Sequence, residues 1–212
     1  MGVLIFFLYN FSLRLIFPFL VIFLFIRLNR RGRGLGSFGE RFGYVSDLPE
    51  VSEEKRLWTH AVSVGEVGVA AALLPALKER YPNLRIVIST VTETGREAAS
   101  RLAGVEKIIY LPFDFPSAIR RVLSRLRPSA LAVVETELWP NLIREANRRN
   151  LPVAIVNGRL SKRSFIRYSY LSALLHPLLN SINGVAARNE TDSARFKALG
   201  ALRVVVTGNI KF

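Results

Sequence analysis

Two short stretches hold the carboxylates best placed to do chemistry. Ser63-Val64-Gly65-Glu66 follows the apolar run 57–62, and Glu135-Thr136-Glu137-Leu138-Trp139-Pro140 follows the apolar run 130–134. Each run has strand character, and each motif opens a helical pattern. A glutamate at such a turn sits outside the carboxyl end of a strand, where open α/β sheets bind ligands. It suits proton abstraction from a hydroxyl. Gly65 permits close backbone approach, and Ser63 adds a hydroxyl. Glu137 shares the side of Glu135 if the strand continues. Capping is the competing reading, since an acid in a first helical turn gains about 0.3–1 kcal/mol from the helix dipole.

Two further segments carry polar groups suited to a substrate. Residues 89–95 (STVTETG, with Thr92 at their centre) form a hydroxyl-rich strand-to-helix loop. Such a loop holds a phosphate at a helix N-terminus or is an ordinary N-cap. No P-loop and no G-x-G-x-x-G in the right context is present. Arg159, Ser161, Lys162, Arg163, Ser164 and Arg167 follow the apolar run 152–156. They read as a solvated helix face or as a clamp, because the guanidinium fork fits phosphate and carboxylate.

The elements that must position these residues alternate. Strand-like runs at 57–62, 85–90, 107–111, 130–134, 152–156, 184–187 and 203–206 are separated by helical patterns at 66–80, 95–102, 116–126, 139–150 and 189–199. Gly200 follows the last helix as a C′ cap. Buried, non-alternating strands joined by helices predict an α/β, Rossmann-like parallel sheet with helices on both faces. The expected order is a membrane-anchor helix over 1–27, a basic juxtamembrane connector over 28–45, the Rossmann-like domain over 46–207, and the start of an interdomain link over 208–212. A chain ending directly after a strand reads as one half of a longer fold.

Composition narrows the partners. Half of the 212 residues are hydrophobic and the net charge is +14, which calls for a polyanionic neighbour. There is no cysteine, and His60 and His176 are the only histidines. Disulfides and thiolate metal sites are excluded, and no metal or other cofactor is expected. Arg14 is the one charge between positions 3 and 26, and Arg27, Arg30, Arg31 and Arg33 follow. About 20 apolar residues suffice to span a bilayer, and the basic flank places the bulk of the chain in the cytoplasm. A cleaved signal peptide would need a basic start and a small-residue cleavage site; arginines stand there instead. Arg14 and Pro18 leave open whether the segment spans or lies in the interface. Nucleic acid is not expected as a partner, because no recognised binding module is present.

Read together, residues 60–66, 90–95, Pro112-Phe113-Asp114, 135–141, Asn157-Gly158-Arg159-Leu160-Ser161 and 208–212 resemble the 3-deoxy-D-manno-octulosonic acid (Kdo) transferases of Gram-negative bacteria. The resemblance runs from the apolar start to the last residue. It implies an inverting GT-B glycosyltransferase whose N-terminal half takes a lipid A precursor and whose C-terminal half, absent from this chain, takes the donor CMP-Kdo. It implies Glu66 as general base, Glu135 and Glu137 as an acidic pair of which Glu135 is favoured, and Lys211 as the cation beside the departing CMP phosphate. Gly158 departs from the family's usual alanine. The competing reading is a membrane-anchored lipid-binding module without catalysis.

Overall fold

The computed structural model of the chain describes residues 2–29, 36–46, 48–49 and 55–210. Their centre is a sheet of β1 (Arg56–His60), β2 (Arg85–Thr90), β3 (Lys107–Tyr110), β4 (Ala130–Val134), β5 (Val153–Gly158), β6 (Gly184–Ala187) and β7 (Val204–Val206). All pairings are parallel and the strand order is β3-β2-β1-β4-β5-β6-β7. The chain builds outward from β1 to one edge, then returns and builds from β4 to the other. This is the predicted doubly wound arrangement, and it leaves a topological switch point between β1 and β4. Helices α3 (Val64–Arg80), α4 (Glu93–Ser100), α5 (Pro116–Leu126), α6 (Pro140–Asn147), α7 (Lys162–Tyr170), α8 (Ser172–Ser181) and α9 (Glu190–Ala198) connect the strands. Two buried clusters form the core, one around Trp58, Leu131, Ile155 and Phe196 and one around Ile86, Ile88 and Val134.

Local chemistry explains the boundaries. Pro116 and Pro140 stand at first helical positions, where their missing N–H costs nothing. Asn189 caps α9 by accepting from Asp192 N. Gly200 ends it at φ +109, with the His176 ring where a Cβ would fall. Helix α7 takes up most of the basic run 159–167, and α8 is a difference from expectation, since the sequence reading assigns no element to 168–181. Pro177 lies inside α8, and the spacing of Leu174, Leu175, Leu178 and Leu179, all buried, supplies the helical face that the basic residues upstream obscured.

Helix α1 (Gly2–Asn29) continues through Pro18. One side of it rests on the domain. Tyr9 donates to Asp114 Oδ2 at 2.8 Å, Asn10 and Asn141 exchange side-chain amide bonds at 3.3 and 2.9 Å, and Phe17 meets Phe42, Phe113 and Phe115 edge-on. Leu4, Phe7, Leu8, Phe11, Leu15, Phe19, Ile22 and Ile26 are exposed at spacings of three and four, so they form one apolar stripe. Among the described residues no helix is long and apolar enough to cross a membrane.

The described part of the expected connector is also built into the domain, as α2 (Gly36–Arg41). Glu40 pairs with Arg96 and accepts from Tyr110 N at 2.8 Å. Arg41 donates to Val91 O at 2.9 Å and lies over the Tyr110 ring. A composition of glycine and arginine suggested a tether; the ion pair and the backbone bonds to the β3 edge fix it as part of the fold.

Candidate active site

The switch point gathers the predicted acids. Glu66 lies in the first turn of α3, directly beyond β1, and only 8% of it is exposed. Its Oε2 accepts from Val62 N at 2.7 Å, and Ser63 Oγ donates to Oε1 at 3.3 Å. One oxygen is held by the backbone N–H of the residue before the N-cap Ser63, and the other has only a long hydroxyl bond. Burial first, and then the charges of Glu137 and Glu135, raise the Glu66 pKa to about 7 against the pull of the Val62 N–H and the Ser63 hydroxyl. Gly65, beside it, is exposed.

Glu135 is where β4 stops. Its backbone turns left-handed at φ 61, a conformation a non-glycine residue holds only when its surroundings enforce it. The enforcement comes from its N–H bond to Val156 O at 2.9 Å and from Arg188, which donates to Oε1 at 2.7 Å. Arg188 also donates to Asn157 O, and Asn157 is itself left-handed at φ 55. The strand therefore does not continue to Glu137, as the same-side expectation required. Glu137 instead sits beyond the turn, where burial raises its pKa most. The nearby Trp139 indole N–H favours the carboxylate, although it makes no hydrogen bond of good geometry, and Glu135 opposes it. The two acids thus differ in kind, one ion-paired and one not similarly matched.

Beside them is an open cavity of about 420 Å³ lined by Glu135, Glu137, Arg159, Ser161, Arg167 and Tyr168, among others. Ser161 also caps α7 by accepting from Ser164 N at 3.1 Å. Arg163 is exposed in the first turn of α7 but does not line the cavity. The lining face is that of Ser164, Arg167 and Tyr168, whose three- and four-residue spacing puts them on one side of the helix. Thr92 is the N-cap of α4: its hydroxyl accepts from Gly95 N and donates to Val62 O, both at 3.1 Å. The hydroxyl thus links the β2 end to the backbone beside Glu66. Lys211 lies outside the described residues; Ile210 before it donates to Asn157 Oδ1 at 3.1 Å, at the same sheet edge.

Sequence reasoning missed Arg188 and Tyr168. Arg188 directly follows β6, the same strand-end position that singled out Glu66 and Glu135, and that signal would have found it. Tyr168, with its pKa raised by burial and by Glu137, lies one residue past the basic run that marks α7, and nothing in that run points to it. His60 Nε2, Thr90 Oγ1, Trp139 Nε1 and Asn157 Nδ2 are buried without a hydrogen-bond partner. His60 Nδ1 lies 3.0 Å from the Ser89 hydroxyl and 3.2 Å from the Ser89 carbonyl. Burial holds this ring neutral, with its pKa lowered to about 4. Orphaned polar atoms are rare in native interiors, and these follow or end β1, β2, β4 and β5. Among the described residues no group of three or more His, Asp or Glu could hold a metal ion.

The family described as 3-deoxy-D-manno-octulosonic-acid transferase (kdotransferase) matches residues 36–212. A 3-deoxy-D-manno-octulosonic acid transferase of Haemophilus influenzae is 35% identical over 92% of this chain and 46% of its own length. One of Bordetella pertussis is 34% identical over 96% of this chain and 49% of its own. The chain therefore spans about half the length of the curated relatives it matches. Among solved structures, a putative UDP-N-acetylglucosamine 2-epimerase of Listeria monocytogenes superimposes with a TM-score of 0.55 over 74% of this chain and 46% of that one, at 13% identity. Acinetobacter baumannii MurG does so with a TM-score of 0.50 over 72% and 45%, at 11% identity. These two likenesses concern the fold.

Proposed function

The chain belongs to the 3-deoxy-D-manno-octulosonic-acid transferase family, and from that premise we propose that it forms the acceptor half of an enzyme moving Kdo from CMP-Kdo to a lipid A precursor at the cytoplasmic face of the inner membrane. The observation that carries the reading is Glu66: a buried carboxyl with a pKa of about 7, on the switch-point edge, with one oxygen less firmly held. A base poised near the working pH gives the best compromise between being deprotonated and being basic. Glu66 Oε1 accepts the proton of the acceptor sugar hydroxyl as its oxygen attacks the anomeric carbon of Kdo. The bond from that carbon to the CMP phosphate breaks, and CMP leaves with the electron pair.

The ion pair with Arg188 occupies Glu135, so the assisting role passes to Glu137, and Glu135 with Arg188 fixes the turn that presents it. Ser63, Gly65 and Thr92 frame the base, while Arg159, Ser161 and Arg167, which line the cavity, meet the acceptor's anionic groups; Arg163 does not reach it. Lys211 steadies the departing phosphate, and no metal takes part. The α1 stripe holds the protein at the lipid surface.

The test is to supply the full natural protein carrying this chain with CMP-Kdo and a lipid A precursor, then look for the Kdo-lipid product by mass spectrometry. Product that vanishes in Glu66→Gln supports the proposal. Precursor binding with no product would leave the non-catalytic lipid-binding module as the reading.

A further inference from the structure

Where the α1 stripe borders the start of α5, the molecule holds a cavity of about 350 Å³. Phe17, Phe42 and Phe115 supply aromatic wall, and Arg14, Arg120 and Arg121 supply charge. Arg14 is the one charged residue between positions 3 and 26. It is exposed, and its neighbours Leu15 and Ile16 are exposed by 58% and 60%. A guanidinium among apolar side chains is costly in a lipid surface unless it meets an anion at headgroup level. Arg121 is already aimed, since its Nε donates to Phe42 O at 3.0 Å and its guanidinium lies 4.6 Å over the Tyr44 ring. Arg120 is 3.6 Å from Glu145, a carboxylate that Arg148 approaches at 3.1 Å. Two guanidiniums therefore share that one carboxylate, and no acid lines the cavity beside Arg14, Arg120 and Arg121, leaving positive charge in excess. The uncapped N-terminus of α5, with Phe115 at the cap position, adds partial positive charge to the same opening.

We propose that this cavity binds the phosphate of an anionic phospholipid of the bilayer, with α1 lying in the interface and its stripe among the acyl chains. The stripe runs up to the cavity rim, so one lipid can engage both: its phosphate meets the arginines and its apolar part meets the phenylalanines and the stripe. A free phosphate would leave the aromatic wall unfilled. This site is separate from the switch point, and it stands whether or not Kdo transfer does.

The experiment is co-sedimentation of the whole chain with phosphatidylcholine vesicles, with and without phosphatidylglycerol. Wild type is expected to bind the phosphatidylglycerol vesicles about tenfold or more tightly, and Arg14→Gln/Arg120→Gln to lose that preference while still binding phosphatidylcholine. The control Arg80→Gln/Arg203→Gln removes equal charge from other exposed positions and is expected to keep most of the preference. Arg14→Gln alone changes an exposed helical position and serves as the variant least exposed to a folding defect; it is expected to lose part of the preference. Equal loss in the control, or no preference in wild type, overturns the site. Loss of the preference to inorganic phosphate at matched ionic strength would show a site for the free anion and overturn the lipid assignment.

Discussion

At the scale of single residues, the base and its neighbours make separable predictions. Glu66→Gln in the full natural protein is expected to lower turnover by about 10²–10⁴-fold, the usual worth of a general base, with the urea midpoint little changed. Because the base must be ionised, transfer should rise with pH through about 7. The stability effect has the opposite sense. The folded carboxyl keeps its proton up to about 7 and the unfolded one releases it near 4.5, so the unfolded state binds fewer protons in that window and stability falls as pH rises across it. Thermal melts at pH 5 and pH 8 should show that fall, and Glu66→Gln should flatten it. Arg188→Met should remove one positive charge from beside Glu135 and so strengthen the repulsion between Glu135 and Glu66, raising the apparent pKa of the transfer profile. The strand-end positions of Glu66 and Glu135 made both acids legible in the chain. What separates them was not legible, because Arg188, which pairs with Glu135, lies 53 residues away just past another strand and only the turn at φ 61 aims Glu137 elsewhere.

At the scale of elements, Asp114 shows how one buried side chain ties three together. It is 6% exposed and accepts from Asn141 N and Leu142 N, each at 2.9 Å, and from the Tyr9 hydroxyl. Pro140 opens α6 with no side-chain cap of its own, so Asp114 caps it from the loop after β3. Asp114→Ala is expected to cost about 2–3 kcal/mol, since it leaves two buried N–H groups and a phenol unmatched. Tyr9→Phe should cost about 1–2 kcal/mol, and urea denaturation of the two variants measures both. The strands were legible because β-branched runs between helix signals can do little else; 85–90, 130–134 and 184–187 match β2, β4 and β6 to the residue. Helix α7 was legible only as a basic helix face, and α8 was not legible, because Pro177 interrupts its pattern. Gly158 lies in a tight place, with a Cβ there meeting the buried Phe196 ring at 3.0 Å. The small residue answers to that ring and bears on packing rather than on the reaction.

At the scale of the whole molecule, α1 and α2 belong to the domain as much as to any lipid surface. Sequence separated them because hydropathy and arginine content describe composition, while the bonds that dock them join residues far apart in the chain. Deleting residues 1–35 should therefore not release a well-behaved domain. Without Tyr9, Asn10 and Phe17, the polar cluster at Asp114 and the phenylalanines at 42, 113 and 115 lose their cover. The shortened chain is expected to melt at least several degrees lower and to aggregate, which calorimetry and light scattering would show. The same docking sets a schedule for synthesis. Tyr9 leaves the ribosome 105 residues before Asp114, and Asn10 leaves it 131 before Asn141. At about 5–20 residues per second, the helix waits at least several seconds for its protein partners, with both its stripe and its docking face uncovered. The helix is thus made first and the domain assembles against it, so the order of synthesis is also the order in which the docking faces become available.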